Sequence, residues 1–236
     1  MIRLTELSKS YGDHEVLHGI SLSFNKGEIH GIIGENGAGK TTLFKCVCGL
    51  EDFTGKVEYD GGVLKNQTGF LPTNPYYLSH MTAMEYLRLL CNARGIVNKN
   101  IEKYNLFELP LGQYAETYST GTQKKLAITG LLLQKNEVFV LDEPFNGVDI
   151  SSNMMIQDIL QKLKKLNKTI ILSSHIFSTL QDSCDFLHYL KEGKIKYSLP
   201  KGSFETIENE MKNGSLSIDM IESIYSPDPD QIPGNN

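Results

Sequence analysis

Two short stretches of this chain combine residue types that can carry phosphate chemistry. Gly34-Glu35-Asn36-Gly37-Ala38-Gly39-Lys40-Thr41 fits G-x-x-x-x-G-K-[ST] without a mismatch. Glycines let consecutive N–H groups turn inward around phosphate oxygens, and a helix starting there adds the positive end of its dipole. In such a loop, which continues into Thr42, Lys40 would reach the β- and γ-phosphates of a nucleoside triphosphate. The Thr41 hydroxyl would ligate Mg²⁺. The second stretch is Val138-Phe139-Val140-Leu141-Asp142-Glu143-Pro144, two acids at the end of an apolar run. Asp142 is suited to hold Mg²⁺ and Glu143 to polarise the attacking water. Neighbouring carboxylates in a dry site repel unless a cation sits there, so the pair and the metal imply each other. Alone, Asp-Glu-Pro would read as an acidic loop end; beside a phosphate loop it reads as catalytic.

The elements around these stretches fit the same chemistry. Ile29-His30-Gly31-Ile32-Ile33 predicts a strand running into the glycines, and Thr42–Cys48 a helix that stops at Gly49. Val138–Leu141 and Ile170-Ile171-Leu172 are apolar runs of the kind buried on both faces of a parallel sheet. Ile156, Ile159, Leu160 and Leu163 mark an amphipathic crossover helix between them, completing a βαβ unit. Ligands in open α/β sheets bind at the C-terminal ends of such strands. Earlier, Ile2–Thr5 and Ile20–Phe24 alternate apolar and polar residues around a Gly12-Asp13 turn, and Lys56–Gly62 reads as a strand entering a hairpin. From Asn74 to Gln134 the pattern is helical, with Met84, Leu87, Leu90 and Cys91 on one face. Ser226–Asn236, rich in Pro, Asp and Asn, reads as a disordered tail.

The 236 residues, 40% hydrophobic and 22% charged, suit one globular α/β domain. A net charge of −5 argues against nucleic acid as a partner. The four scattered cysteines make no disulfide framework and are expected as reduced core thiols. No run reaches the length of a membrane span, and the charged N-terminus lacks a signal-peptide pattern, so a cytoplasmic location is expected.

Taken in order, these residues resemble the ATP-binding-cassette (ABC) ATPases, most closely the nucleotide-binding subunits of ABC transporters, from about residue 2 to residue 205. The resemblance implies an α/β P-loop NTPase core with a mostly parallel sheet, an antiparallel β subdomain and a helical subdomain at about 73–130. Together these form one ATPase domain over 1–225. Tyr11 stands where the family stacks an aromatic residue on adenine, a role that needs only a flat π-system; a tyrosine near a turn is otherwise unremarkable. Tyr118-Ser119-Thr120-Gly121-Thr122 occupies the place of the family signature Leu-Ser-Gly-Gly-Gln, matching at Ser119 and Gly121. There the family caps the γ-phosphate held by an opposite subunit, although Ser119 also reads simply as a helix cap. Asp149 matches the acid of the D-loop, and His175, ending the next strand, matches the switch histidine. With Glu143 and Lys40, His175 completes the implied catalytic set.

One departure stands out. Where the family carries a glutamine that helps to bind Mg²⁺, this chain has Thr73 followed by Asn74. The shorter hydroxyl predicts weaker metal affinity, turnover or coupling. The function implied is that of an ATP-hydrolysing subunit, paired as a homodimer or heterodimer. It would power transport through separate membrane subunits and sit through them on the inner face of the cell membrane. The alternative is a soluble or regulatory cassette of slow turnover that takes no part in transport. Cassettes acting on DNA or ribosomes carry coiled coils or tandem repeats not seen here. P-loop kinases and GTPases are disfavoured by Asp142-Glu143, the signature-like segment and His175.

Overall fold

The computed structural model describes residues 1–97 and 100–213. The alternation at the N-terminus produces an antiparallel sheet of three strands in the order β2-β1-β4. Strand β1 (Ile2–Tyr11) turns at Gly12-Asp13 into β2 (His14–Phe24), with Gly12 at φ +60°. The strand at Lys56–Tyr59 does not enter a hairpin. Strand β4 (Thr54–Tyr59) instead pairs back onto β1, setting Val57 opposite Leu4 and Tyr59 opposite Ile2, while the chain continues into the short helix α2 (Leu64–Gln67). Those apolar cross-strand pairs join the core, which a local hairpin with the polar segment Lys65-Asn66-Gln67 would not achieve.

The second sheet has six strands in the order β5-β6-β7-β3-β8-β9. Strands β3 (Ile29–Ile33), β5 (Thr68–Leu71), β6 (Val138–Leu141), β7 (Thr169–Ser174) and β8 (Phe186–Lys191) are parallel; β9 (Lys194–Pro200) closes one edge antiparallel. Every residue of β3, β6 and β7 is buried because both faces are covered. Phe139 and Leu141 point into one core with Ile156, Leu160 and Leu163 of α5 (Ile150–Lys165). Val138 and Val140 point into the other, with Leu43, Phe44 and Val47 of α1 (Lys40–Val47) and the inner face of the β1–β2 pair. Helix α5 is the expected crossover between β6 and β7. All four cysteines are free and buried.

Among the described residues, the stretch from 74 to 134, expected to be helical throughout, contains two α-helices and two single 3₁₀ turns. Helix α3 (Ala83–Ala93) starts with a capping box between Thr82 and Glu85 and buries Ala83, Leu87 and Cys91. Helix α4 (Thr120–Leu133) packs against it. Pro75, Gly95, Pro110 and Gly112 interrupt the rest, where an unbroken helix would lose hydrogen bonds or backbone order. Two further helices, α6 (Phe177–Ser183) and α7 (Glu205–Asn213), flank the last strands. No described helix is long and apolar enough to cross a membrane. The tail expected at 226–236 lies outside the described residues.

Candidate active site

The site forms because parallel pairing aligns strand ends. Leu71 pairs with Leu141, Leu141 with Leu172, and Ser174 with Ile33, so the residues following β5, β6, β7 and β3 emerge along one edge. There they line a cleft of about 450 Å³ with Val16, Asn36, Gly37 and Gly39 through Thr42, facing Thr73, Asp142, Glu143, Asn146 and His175.

The phosphate loop is held from within. Lys40, 8% exposed, donates from Nζ to the carbonyls of Gly34 (2.6 Å) and Glu35 (2.9 Å). Burial lowers its pKa, and the Glu143 and Asp142 carboxylates oppose that shift. Gly34 is required by proximity, since a Cβ there would stand 2.2 Å from the Leu190 carbonyl oxygen; Gly39 sits at φ +106°. Of the loop residues, Gly34, Glu35 and Ala38 shape the backbone without lining the main cleft.

Asp142 is 1% exposed and is the hub of the opposite wall. Its Oδ2 accepts from Thr41 Oγ1 (2.5 Å) and Thr73 Oγ1 (2.7 Å), and its Oδ1 from Ser173 Oγ (2.6 Å). The carboxylate is therefore surrounded by hydroxyls, hard oxygen donors of the type that Mg²⁺ takes. Thr73 reaches the Asp142 carboxylate, and Asn74 does not line the cleft. Glu143 follows in a left-handed conformation, φ +51°, with its amide donating to Ser173 Oγ (3.0 Å). Its Oε2 lies 3.0 Å from His175 Nδ1.

Four expected residues stand apart from this cleft. Tyr11 is 45% exposed at the tip of the β1–β2 hairpin, with the Lys9 ammonium 4.6 Å from its ring centroid; the cleft wall there is Val16. Ser119 caps α4, accepting from the Thr122 amide (3.3 Å), and Asp149 caps α5, accepting from the Ser152 amide (2.9 Å). Hydrogen bonds from Ser152, with Lys125 nearby, hold the Asp149 carboxyl down at about 2. Gly121 brings α4 onto the Asn146–Asp149 turn, where a Cβ would meet the Gly147 carbonyl at 2.5 Å.

Ser173, Lys124 and the cleft-lining Val16 had no role assigned from sequence. Lys124 is 1% exposed, and its Nζ donates to the carbonyls of Glu143 (2.5 Å) and Asn146 (2.8 Å). It stands three, four and seven residues before Ala127, Ile128 and Leu131, but α4 buries residues nearly all round, so that register did not single it out.

A strand–glycine loop–helix facing an acid-bearing parallel strand defines a nucleotide-binding P-loop fold. The family model described as ABC transporter matches residues 17–146. An uncharacterized ABC transporter ATP-binding protein of Methanocaldococcus jannaschii is 33% identical over 201 residues, covering 82% of this chain and 75% of that protein. The bacitracin transport ATP-binding protein of Enterococcus faecalis is 30% identical over 244 residues, covering 95% and 79% respectively. A solved ATP-binding subunit of an ABC transporter superposes with a TM-score of 0.80 at 26% identity, over 95% of this chain and 98% of that one. The chain belongs to the ABC transporter family, as one of its ATP-binding, ATP-hydrolysing subunits.

Proposed function

We propose that this subunit hydrolyses ATP between two cassettes and passes the resulting motion to separate membrane subunits, on the inner face of the cell membrane. In this reading the loop from Gly34 to Thr42 holds the phosphates and Lys40 neutralises the β- and γ-groups. Glu143 accepts a proton from the attacking water, and His175, within hydrogen-bonding distance of that carboxylate, keeps it aimed and contacts the γ-phosphate. The donor set around Asp142 fits Mg²⁺: Asp142, Thr41 and Thr73 would hold it, and when bound it supplies charge neutralisation on the phosphate oxygens.

The observation that carries the two-cassette reading is the place of Ser119. It sits exposed at the α4 N-terminus beside the Asn146–Asp149 turn and does not line the cleft of its own chain, so in this reading the cap faces another cassette's nucleotide. Ile150 and Met154, 81% and 63% exposed, extend that surface with apolar area suited to an interface. Transport rather than regulation is supported by the relative named for bacitracin transport. The expected docking region for membrane subunits is the stretch between Asn74 and Ala115, part of the helical subdomain at about 73–130 within a single ATPase domain over 1–225.

Light scattering tests the pairing. The Glu143→Gln protein should form a dimer only with ATP, and adding Ser119→Arg should disperse it. A monomer at every ATP concentration would exclude self-pairing and leave a different cassette as the partner.

A further inference from the structure

Lys124 is a buried ammonium with an unusual set of partners. Its described hydrogen bonds go to two main-chain carbonyls, those of Glu143 and Asn146, with no carboxylate taking a direct bond. Removing a lysine from water is costly unless its protons are taken up, and burial does lower its pKa, against the attraction of Glu143 and Asp142. The side chain is absent from the cleft lining, so it does not contact the nucleotide site. What it grips is the one catalytic-loop residue with a backbone that resists its own conformation. Glu143 carries a side chain at φ +51°, in the left-handed region, and such residues persist only where the surroundings hold them.

The Glu143 peptide groups are held from both sides. Ser173 Oγ takes the amide, while the carbonyl accepts from Lys124 Nζ and, at 3.3 Å, from the Asn146 amide. The second Lys124 bond, to Asn146, closes the turn. We infer that Lys124 is a positioning residue: delivered by α4, its ammonium fixes the left-handed turn at Glu143 and thereby the aim of that carboxylate into the cleft. This inference rests on the reading of Glu143 as the group that polarises water. It also links elements. The carbonyl of residue 123, its neighbour, accepts from Tyr77 Oη, which ties α4 to the segment that follows Thr73.

Single-turnover hydrolysis by the full chain, with binding of a fluorescent ATP analogue measured alongside, tests the role. Lys124→Met keeps the length of the side chain and removes every donor; Lys124→Gln keeps two N–H donors without the charge. The Met variant should lose about 10–100-fold in rate, the scale of a small misplacement of a catalytic group. Analogue affinity should stay within about twofold, the margin expected of independent sites. The Gln variant should fall between Met and wild type, and it carries the same test should the Met variant fail to fold.

A cycle with Glu143→Gln separates positioning from general support. If Lys124 acts through Glu143, adding Lys124→Met to Glu143→Gln should cost less than about twofold more. A wild-type rate in Lys124→Met, a loss appearing only as weaker analogue binding, or the full loss repeated in the Glu143→Gln background would each overturn the inference. Full hydrolysis by Glu143→Gln alone would instead remove the reading of Glu143, and this inference with it.

Discussion

Thr73 Oγ1 donates to Asp142 Oδ2 across 2.7 Å, placing the hydroxyl that replaces the family glutamine on the acid expected to hold the metal. Thr41 converges on the same oxygen, so the two threonines and Asp142 form one unit. Thr73→Val keeps the shape and removes one charge-assisted bond, with an expected stability loss of about 1.5–3 kcal/mol. In Mg²⁺ titrations of ATP-analogue binding, the Val variant should need more metal and Thr73→Gln less, with Thr73→Gln also raising Mg²⁺-dependent turnover. Identical Mg²⁺ curves for all three proteins would separate Thr73 from the metal.

Lys40→Ala should abolish nucleotide binding. The same ammonium bridges the Gly34 and Glu35 carbonyls, so its loss removes both the phosphate contact and an internal tie of the loop. Equilibrium binding of a fluorescent ATP analogue decides it, and wild-type affinity would place Lys40 outside the site.

The base contact is expected at Tyr11. Tyr11→Ala should weaken ATP and GTP binding alike by roughly 1–3 kcal/mol, the scale of base–aromatic stacking. The competing surface is Val16, which already lines the cleft. An unchanged affinity in Tyr11→Ala would transfer the base contact to that part of the hairpin.

A histidine pair far from this chemistry predicts acid sensitivity. His30 Nδ1 and His188 Nε2 lie 3.2 Å apart, stacked, with Phe24 edge-on. The Asn25 amide lies 3.3 Å from His30 Nε2, and His188 Nδ1 lies 2.8 Å from Ser198 Oγ. Burial pushes His30 down to about 4, against the pull of Asp185, and His188 to about 3, with the His30 charge adding to the effect. Glu28 Oε2, 3.2 Å from His30 Nε2, does not overcome that burial. A folded pKa below the unfolded value of 6.5 means that protons favour the unfolded chain. Stability is complete above pH 6.5 and falls as pH drops toward 4, by about 3 kcal/mol for His30 alone. Urea midpoints at pH 7 and pH 5 measure it; equal midpoints would contradict a neutral pair.

Local pattern and residue chemistry made much of this molecule legible. The run from β3 through the glycines into α1, and β6–α5–β7, were readable because buried parallel strands and an amphipathic crossover carry distinct periodicities. Pairing of β4 with β1, and insertion of β3 between β7 and β8, depend on contacts distant in sequence and leave no local signature. Pro110 and Gly112 sit in the stretch read as helical, where propensity outweighed two visible breakers. Lys124 was hidden differently: lysine usually marks a solvated face, and α4 is apolar nearly all round, so only the carbonyls of Glu143 and Asn146 in the fold show why this one turns inward.

In the proposed mechanism Glu143, held 3.0 Å from His175 at the end of β6, polarises the attacking water. Single-turnover cleavage of radiolabelled ATP by Glu143→Gln at saturating nucleotide measures it most directly. The rate should fall about 10²–10⁴-fold, the usual worth of a general base, with ATP still bound at wild-type affinity. Cleavage at the wild-type rate would contradict the assignment.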